Sequence, residues 1–219
     1  MTGRFITLEG GEGAGKSTQA KLLAAALTDR GLPVLQTREP GGAPGAEILR
    51  ELLLAGSVSW SAPAETLLHF AARAEHVERT IRPALDAGMW VVCDRFYDST
   101  MAYQGYGLGV SRETIGTLTT LVGVHPDLTI VLDVSEAVAI ERQLKRGIDA
   151  DRYERLDAFF HRRVREGFRE IAQAAPDRCV VVGADGPVEA VQAVVIRSVS
   201  RALAVPGGAA GTGVSDACA

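Results

Sequence analysis

The chain has 219 residues, 47% of them hydrophobic, which is enough for one α/β domain with a buried core and short for two. A net charge of −4 supplies no general basic field for a nucleic-acid backbone, so the expected partners are small molecules. The three cysteines, Cys93, Cys179 and Cys218, are too few and too scattered for a disulfide framework or a zinc site. No run of about 20 apolar residues is present to span a bilayer.

In chain order, Met1-Thr2-Gly3-Arg4 runs into an apolar segment without signal-peptide anatomy, so a cytoplasmic location is expected. Strand-length apolar runs follow at Phe5–Leu8, Val34–Thr37, Trp90–Cys93, Thr129–Leu132 and Cys179–Val182, separated by segments of helical spacing. That alternation predicts an α/β fold of three layers, a five-stranded parallel sheet flanked by helices. Between the second and third strands, Pro63 to Ala87 carries Leu67, Leu68, Ala71, Ala74, Val77 and Ile81 at three-and-four spacing, a face expected to pack on the sheet. After the fourth strand, helical periodicity from Ser135 through Arg142 gives way to a polar stretch before resuming around Leu156, Phe159, Phe160 and Val164. The charged, Gly-containing stretch, roughly residues 143–153, is a candidate short lid. Residues 1–205 are expected to form the single domain, and Pro206 to Ala219, almost all Gly, Ala, Ser and Thr, a disordered tail.

The most specific local pattern is Gly10-x-x-x-x-Gly15-Lys16-Ser17, with a strand before it and a helix after it. Such a P-loop curls so that consecutive backbone N–H groups and a helix N-terminus face phosphate oxygens. Lys16 then reaches the β and γ phosphates of a nucleoside triphosphate, and Ser17 offers a hydroxyl to Mg²⁺. Gly10, Gly11, Glu12, Gly13, Ala14, Gly15, Lys16, Ser17 and Thr18 are thus the expected ATP site within a P-loop NTPase fold. Asp94 and Asp133 end the third and fourth strands, where ligands of parallel sheets bind. Either could orient the metal, and Asp133 reads equally as a helix cap. Arg38, Arg73 and Arg95, on separate elements near that edge, could form a second anion site. Arg142, Lys145, Arg146 and Arg152 read either as a solvated charge run or as cations delivered by the lid to a transferring phosphoryl group.

Several segments together resemble the bacterial thymidylate kinases, over nearly the whole chain up to about residue 204. They are the P-loop with Glu12 inside it, Thr37 through Gly42, Leu67 through Arg73, the lid segment Asp151-Arg152-Tyr153-Glu154 and, above all, Asp94 through Gly105. The resemblance implies phosphorylation of dTMP to dTDP by ATP, in a homodimer built on helix faces such as that of Pro63 to Ala87; Ser17 and Asp94, from their positions, are the expected Mg²⁺ ligands. It implies that Arg38 and Arg95 hold the acceptor phosphate, that Glu12 lies near Arg95 and the deoxyribose, and that Arg73 donates to a thymine carbonyl with Ser99, Thr100 and Gln104 nearby. Tyr103 would pack under the sugar and exclude a 2′-hydroxyl. Arg142 and the loop from Gly183 to Pro187 would border the adenine. Because Gly11, Glu12, Gly13 and Ala14 carry no cation, the resemblance is to the type whose catalytic arginine sits in the lid, with Arg152 or Arg146 the candidates beside Lys16.

One position departs from that pattern: where the family stacks a Phe on thymine, this chain has His69, with Phe70 one residue on. One helical step turns a side chain by about 100°, so Phe70 cannot substitute without a shift. Another pyrimidine nucleoside monophosphate kinase, acting on UMP or CMP, is therefore the nearest alternative. A nucleotide-dependent switch is the more distant one, and neither Asn-Lys-x-Asp nor a strand-end Asp-x-x-Gly is present to support it.

Overall fold

The structure, a computed structural model, describes residues 3–55, 58–146, 153 and 156–205. Most of the expected lid, Arg152 included, and the whole expected tail lie outside the described residues, as does the side chain of Arg146. Five parallel strands form one sheet: β1 (Arg4–Glu9), β2 (Val34–Arg38), β3 (Trp90–Asp94), β4 (Leu128–Asp133) and β5 (Cys179–Gly183), in the order β2-β3-β1-β4-β5. All five expected strands are present, each extending a residue or two beyond its apolar run.

The central strands are continuously apolar because both faces are covered. On one side, Ile6 and Leu8 of β1 join Leu23 and Leu27 of α1 (Lys16–Thr28) and Val195 and Val199 of α9 (Val188–Leu203). On the other, Phe5, Val91 and Cys93 pack with Phe96 and Ile81, while Val131 meets Phe160, Val164 and Phe168 of α8 (Ala158–Ala174). Cys93 and Cys179 are both buried thiols without a disulfide. The intervening helices are α2 (Pro44–Leu54), α3 (Ala62–His76), α4 (Arg82–Asp86), α5 (Tyr97–Thr100), α6 (Arg112–Val122) and α7 (Glu136–Arg146). Among the described residues no helix is long and apolar enough to cross a membrane.

The expected packing of the Pro63 to Ala87 segment is corrected. Leu67 is 57% exposed and Ala71 and Ala74 are also exposed, whereas the inward face of α3 carries Glu65, Thr66, Phe70, Ala72, Arg73 and His76. Of this helix only His69 and Arg73 reach the cavity at the sheet's carboxyl edge, while Ala72 packs with Ala43 and Ala46 against α2. A π-helical turn, Val77–Ile81, then follows, and Val77 and Ile81 do enter the core. The wider turn shifts the helical phase, so one continuous three-and-four stripe cannot face the sheet along the whole segment.

Because β1 lies between β3 and β4, with its own crossover passing over β3, the chain reverses its winding beside β1. A crevice therefore opens at the carboxyl ends of β1 and β3. The loop leaving β1 is tightly constrained there. Gly10 has φ +138°, and a Cβ on it would come within 2.4 Å of the Leu132 carbonyl oxygen; Gly13 has φ +72° and packs on Ala139 of α7. No side chain residue could adopt this path without displacing backbone.

Candidate active site

A single cavity of about 720 Å³ runs along this edge, from the P-loop at one end to α3 and the turn after β3 at the other. At the first end, α1 begins at Lys16 with no side-chain cap at Gly15, leaving its first N–H groups directed at the space where an anion would sit. Lys16 Nζ donates to the Gly11 carbonyl at 2.7 Å. Its burial, and next the Arg95 charge, lower its pKa to about 8. The Ser17 hydroxyl donates to Asp94 Oδ2, while Asp94 Oδ1 is buried with no hydrogen-bond partner among the described residues. A hydroxyl beside an orphaned carboxylate oxygen is a donor set suited to a hard, oxygen-seeking cation that completes its shell with phosphate and water. Asp133, the other strand-end carboxylate, is occupied differently. Arg165 Nε and Arg169 Nη2 reach it at 2.6 and 2.7 Å, so it ties α8 to the sheet.

The middle of the cavity is organised by Arg95. Its φ of +70° is a left-handed conformation uncommon for a residue with a side chain, and it turns the chain sharply as β3 ends. The turn is held by buried Glu9, whose Oε1 accepts from Phe96 N at 2.7 Å and whose Oε2 accepts from Ser99 Oγ at 2.5 Å. Burial, reinforced by nearby Asp98, raises the Glu9 pKa to about 8. The Arg95 guanidinium thereby meets Glu12 at 2.5 Å, Ser99 Oγ at 3.2 Å and the Gly10 carbonyl at 3.3 Å, and lies over the Tyr103 ring at 4.9 Å. Tyr103 donates its hydroxyl to Glu12 at 2.8 Å and accepts from Arg95 at 3.2 Å. Burial alone works against the Arg95 charge, but Glu12 and Tyr103 beside it hold its pKa well above the usual value. Arg38, half exposed and paired with Glu47 at 3.0 Å, and Arg50, donating to the Pro40 carbonyl at 2.7 Å, line the same stretch. Three guanidinium groups thus surround a space one nucleotide phosphate could occupy.

Arg73 does not belong to that trio. It is 3% exposed, and its Nε is held by Glu39 at 2.7 Å; Glu39 in turn meets His76 Nδ1 at 3.0 Å, and His76 Nε2 meets Thr37 Oγ1 at 2.7 Å. Its Nη2 donates to the Phe96 carbonyl and to Thr100 Oγ1, and its Nη1 is buried with no hydrogen-bond partner among the described residues. Ser99, Thr100, Tyr103, Gln104 and His69 line this end together with it, and so does Tyr153. Phe70 is not among the lining residues: it is 5% exposed and lies beneath Arg73, 4.8 Å from the guanidinium carbon, as the rotation per residue requires. At the P-loop end, Arg142 donates to the carbonyls of Gly13 and Gly186, bridging the loop to the segment after β5.

Sequence reasoning missed Glu9, Arg50 and Glu65. Glu9 carried a readable signal, a carboxylate ending an apolar strand directly before the P-loop. Arg50 is indistinguishable in sequence from the solvated charges of an amphipathic helix, and only the turn at Pro40 brings it inward.

A family model described as "Thymidylate kinase" matches residues 8–195. The thymidylate kinase of Rhizorhabdus wittichii is 54% identical over 93% of this chain and 100% of its own length, and that of Gluconobacter oxydans 52% identical over 94% and 98%. The crystal structure of the thymidylate kinase from Ehrlichia chaffeensis superposes with a TM-score of 0.75 at 36% identity, covering 91% of this chain and 99% of that one. With the P-loop, the arginine-lined middle and the buried Arg73 end on one cavity edge, the chain belongs to the thymidylate kinase family.

Proposed function

We propose that this member of the family transfers the γ-phosphoryl of ATP, bound at the Lys16 end of the cavity, in line onto the 5′-phosphate of dTMP at the Arg95 end, giving ADP and dTDP for dTTP synthesis. The observation that carries the reading is Arg95 itself, whose turn joins the P-loop carboxylate Glu12 to Tyr103 and stands between the two subsites. The acceptor is already an anion, so no strong base is required; holding two phosphates together and neutralising their charge is the main task. Lys16 and the backbone from Gly10 to Thr18 hold the donor phosphates, Arg38, Arg50 and Arg95 hold the acceptor phosphate, and Arg142 borders the adenine. Tyr103 packs under the deoxyribose, and Arg73 donates Nη1 to a base carbonyl. Ser17 and Asp94 would hold Mg²⁺, which when bound neutralises charge on the phosphate oxygens.

The P-loop has no cation at positions 11–14, so Arg152 or Arg146 is the lid cation directed at the transferring group. Arg152→Ala should lower turnover by about 10³ to 10⁵ with little change in ATP affinity. Unchanged turnover would move the role to Arg146. A coupled assay across dTMP, dUMP, UMP, CMP, AMP and GMP tests the acceptor, and faster turnover of UMP than dTMP would refute it. The exposed Leu67, Ala71 and Ala74 of α3, beside Leu121 of α6 at 80% exposure, support a homodimer across that face. A sedimentation coefficient unchanged by Leu121→Glu would remove this face from the interface. The cytoplasm, where the nucleotides are made and used, is the compartment.

A further inference from the structure

Two buried groups face the base end of the cavity, and their polarity decides which ring edge can lie against them. Arg73 Nη1 is a donor without a partner among the described residues. Arg73 Nη2 is tied to Thr100, and Gln104, 1% exposed, lies one turn beyond Thr100 on the same cavity wall. A glutamine amide presents opposite polarities on its two sides, so what faces the cavity depends on what holds the other side.

Here the holder is Glu65, fully buried on α3. Its Oε1 accepts from Gln104 Nε2 at 2.9 Å and from the Tyr153 hydroxyl at 2.6 Å. A flipped amide would set carbonyl oxygen against carboxylate oxygen, which in a buried site costs far more than a neutral mismatch in water. Tyr153, having given its one proton to Glu65, accepts from Gln104 Nε2 at 3.0 Å and from His69 Nε2 at 2.8 Å, so His69 carries its proton on Nε2 in this arrangement. The residue that replaces the family's stacking ring is therefore part of the same hydrogen-bonded wall.

We propose that Glu65, backed by Tyr153 and His69, is a positioning residue for acceptor specificity: by holding Gln104 Nε2 it turns the amide carbonyl, beside the Arg73 donor, toward a ring edge that carries a carbonyl next to an N–H. That is the 4-carbonyl and N3–H edge of thymine or uracil. Cytosine presents the reverse, an amino donor next to a bare ring nitrogen, and would set donor against donor and acceptor against acceptor. This inference rests on the reading of the cavity as the dTMP site.

The test is kcat/KM for dTMP, dUMP and dCMP in the wild type, in Glu65→Gln, and in Glu65→Gln combined with Gln104→Glu. The wild type should prefer dTMP and dUMP over dCMP by on the order of 10³ or more. Glu65→Gln, which can donate as well as accept, lets the Gln104 amide turn over and should lower the dTMP to dCMP ratio at least about tenfold, leaving KM for ATP unchanged. Gln104→Glu on that background accepts on both sides and should restore the ratio, which a merely structural role for Glu65 would not do. Glu65→Met removes the acceptor without adding a donor and gives a second measurement should the glutamine variant not fold. An unchanged ratio in either folded variant overturns the proposal. A wild type that does not discriminate dTMP from dCMP overturns instead the reading of the base pocket.

Discussion

The Glu39–Arg73 pair offers a test of how the base end is held in place. Both side chains are 3% exposed, and His76, which also contacts Glu39, is fully buried. Glu39→Gln keeps the shape and can keep an oxygen on Arg73 Nε, but it removes the only carboxylate bonded to that guanidinium among the described residues; the other acceptors, the Phe96 carbonyl and Thr100 Oγ1, are neutral. Leaving a buried charge uncompensated costs about 3–5 kcal/mol. For a chain of this size that lowers Tm by about 6–20 °C. Thermal unfolding of Glu39→Gln, Arg73→Met and the double variant isolates the pair. The double variant should be more stable than Glu39→Gln, because removing the orphaned charge removes the penalty. The same Glu39→Gln protein should show a raised KM for dTMP and an ATP KM within about twofold of wild type, since Arg73 lies at the far end of the cavity from Lys16. A Tm change under about 2 °C, or a double variant no more stable than Glu39→Gln, would refute the assignment of that pair as the base end's electrostatic anchor.

Lys16 and Glu9 make predictions about pH. With its pKa lowered to about 8, Lys16 is more than half neutral at pH 8.5 in the nucleotide-free protein, and triphosphate binding should restore the charge. Calorimetry in buffers of different ionisation enthalpy should show uptake of roughly half a proton or more at pH 8.5, where the triphosphate itself is fully ionised; no buffer dependence at pH 8.5 would contradict it. Glu9, raised from 4.5 to about 8, is protonated in the folded state across a range where the unfolded chain has lost that proton. Its contribution to stability is fully present below about pH 4.5, falls as pH rises toward 8 and levels off above. Glu9→Gln keeps a neutral side chain there at every pH, so its stability relative to wild type should improve between pH 5 and 8. Parallel pH profiles for the two proteins would show that Glu9 does not titrate in that window.

The local signals that were legible in the sequence are those enforced by short-range chemistry. Five apolar runs forecast five strands because a parallel sheet covered on both faces must be apolar along its length. The P-loop was legible because only glycine tolerates the backbone path at Gly10 and Gly13. Ser17 and Asp94 were expected to lie together because the P-loop and the end of β3 meet at the same sheet edge, and the Ser17 hydroxyl does bond Asp94. The Pro63 to Ala87 face was misread for the opposite reason. Helical periodicity reports that a stripe exists, not what faces it, and here the inner face packs on α2 and meets the cavity through His69 and Arg73, while a π-helical turn shifts the phase before Val77 and Ile81 reach the core.

The residues that set the character of the acceptor end were the least legible. Arg73 and Gln104 were named as site residues from the resemblance, but their buried partners Glu39 and Glu65 were not, because they lie far off in the chain and a lone Glu on an amphipathic helix reads as solvated. Their meaning comes from burial, which makes each donor seek an acceptor and so fixes which atoms remain directed at the cavity. The amino-acid sequence by itself determined that a triphosphate is held and which family of folds holds it, because those follow from backbone conformation and strand composition. Only the tertiary structure decided that Arg38, Arg50 and Arg95 line one space while Arg73 is held in the buried pair with Glu39, and that Glu65 turns the Gln104 amide, because long-range packing alone determines which partner each polar group meets and where it points.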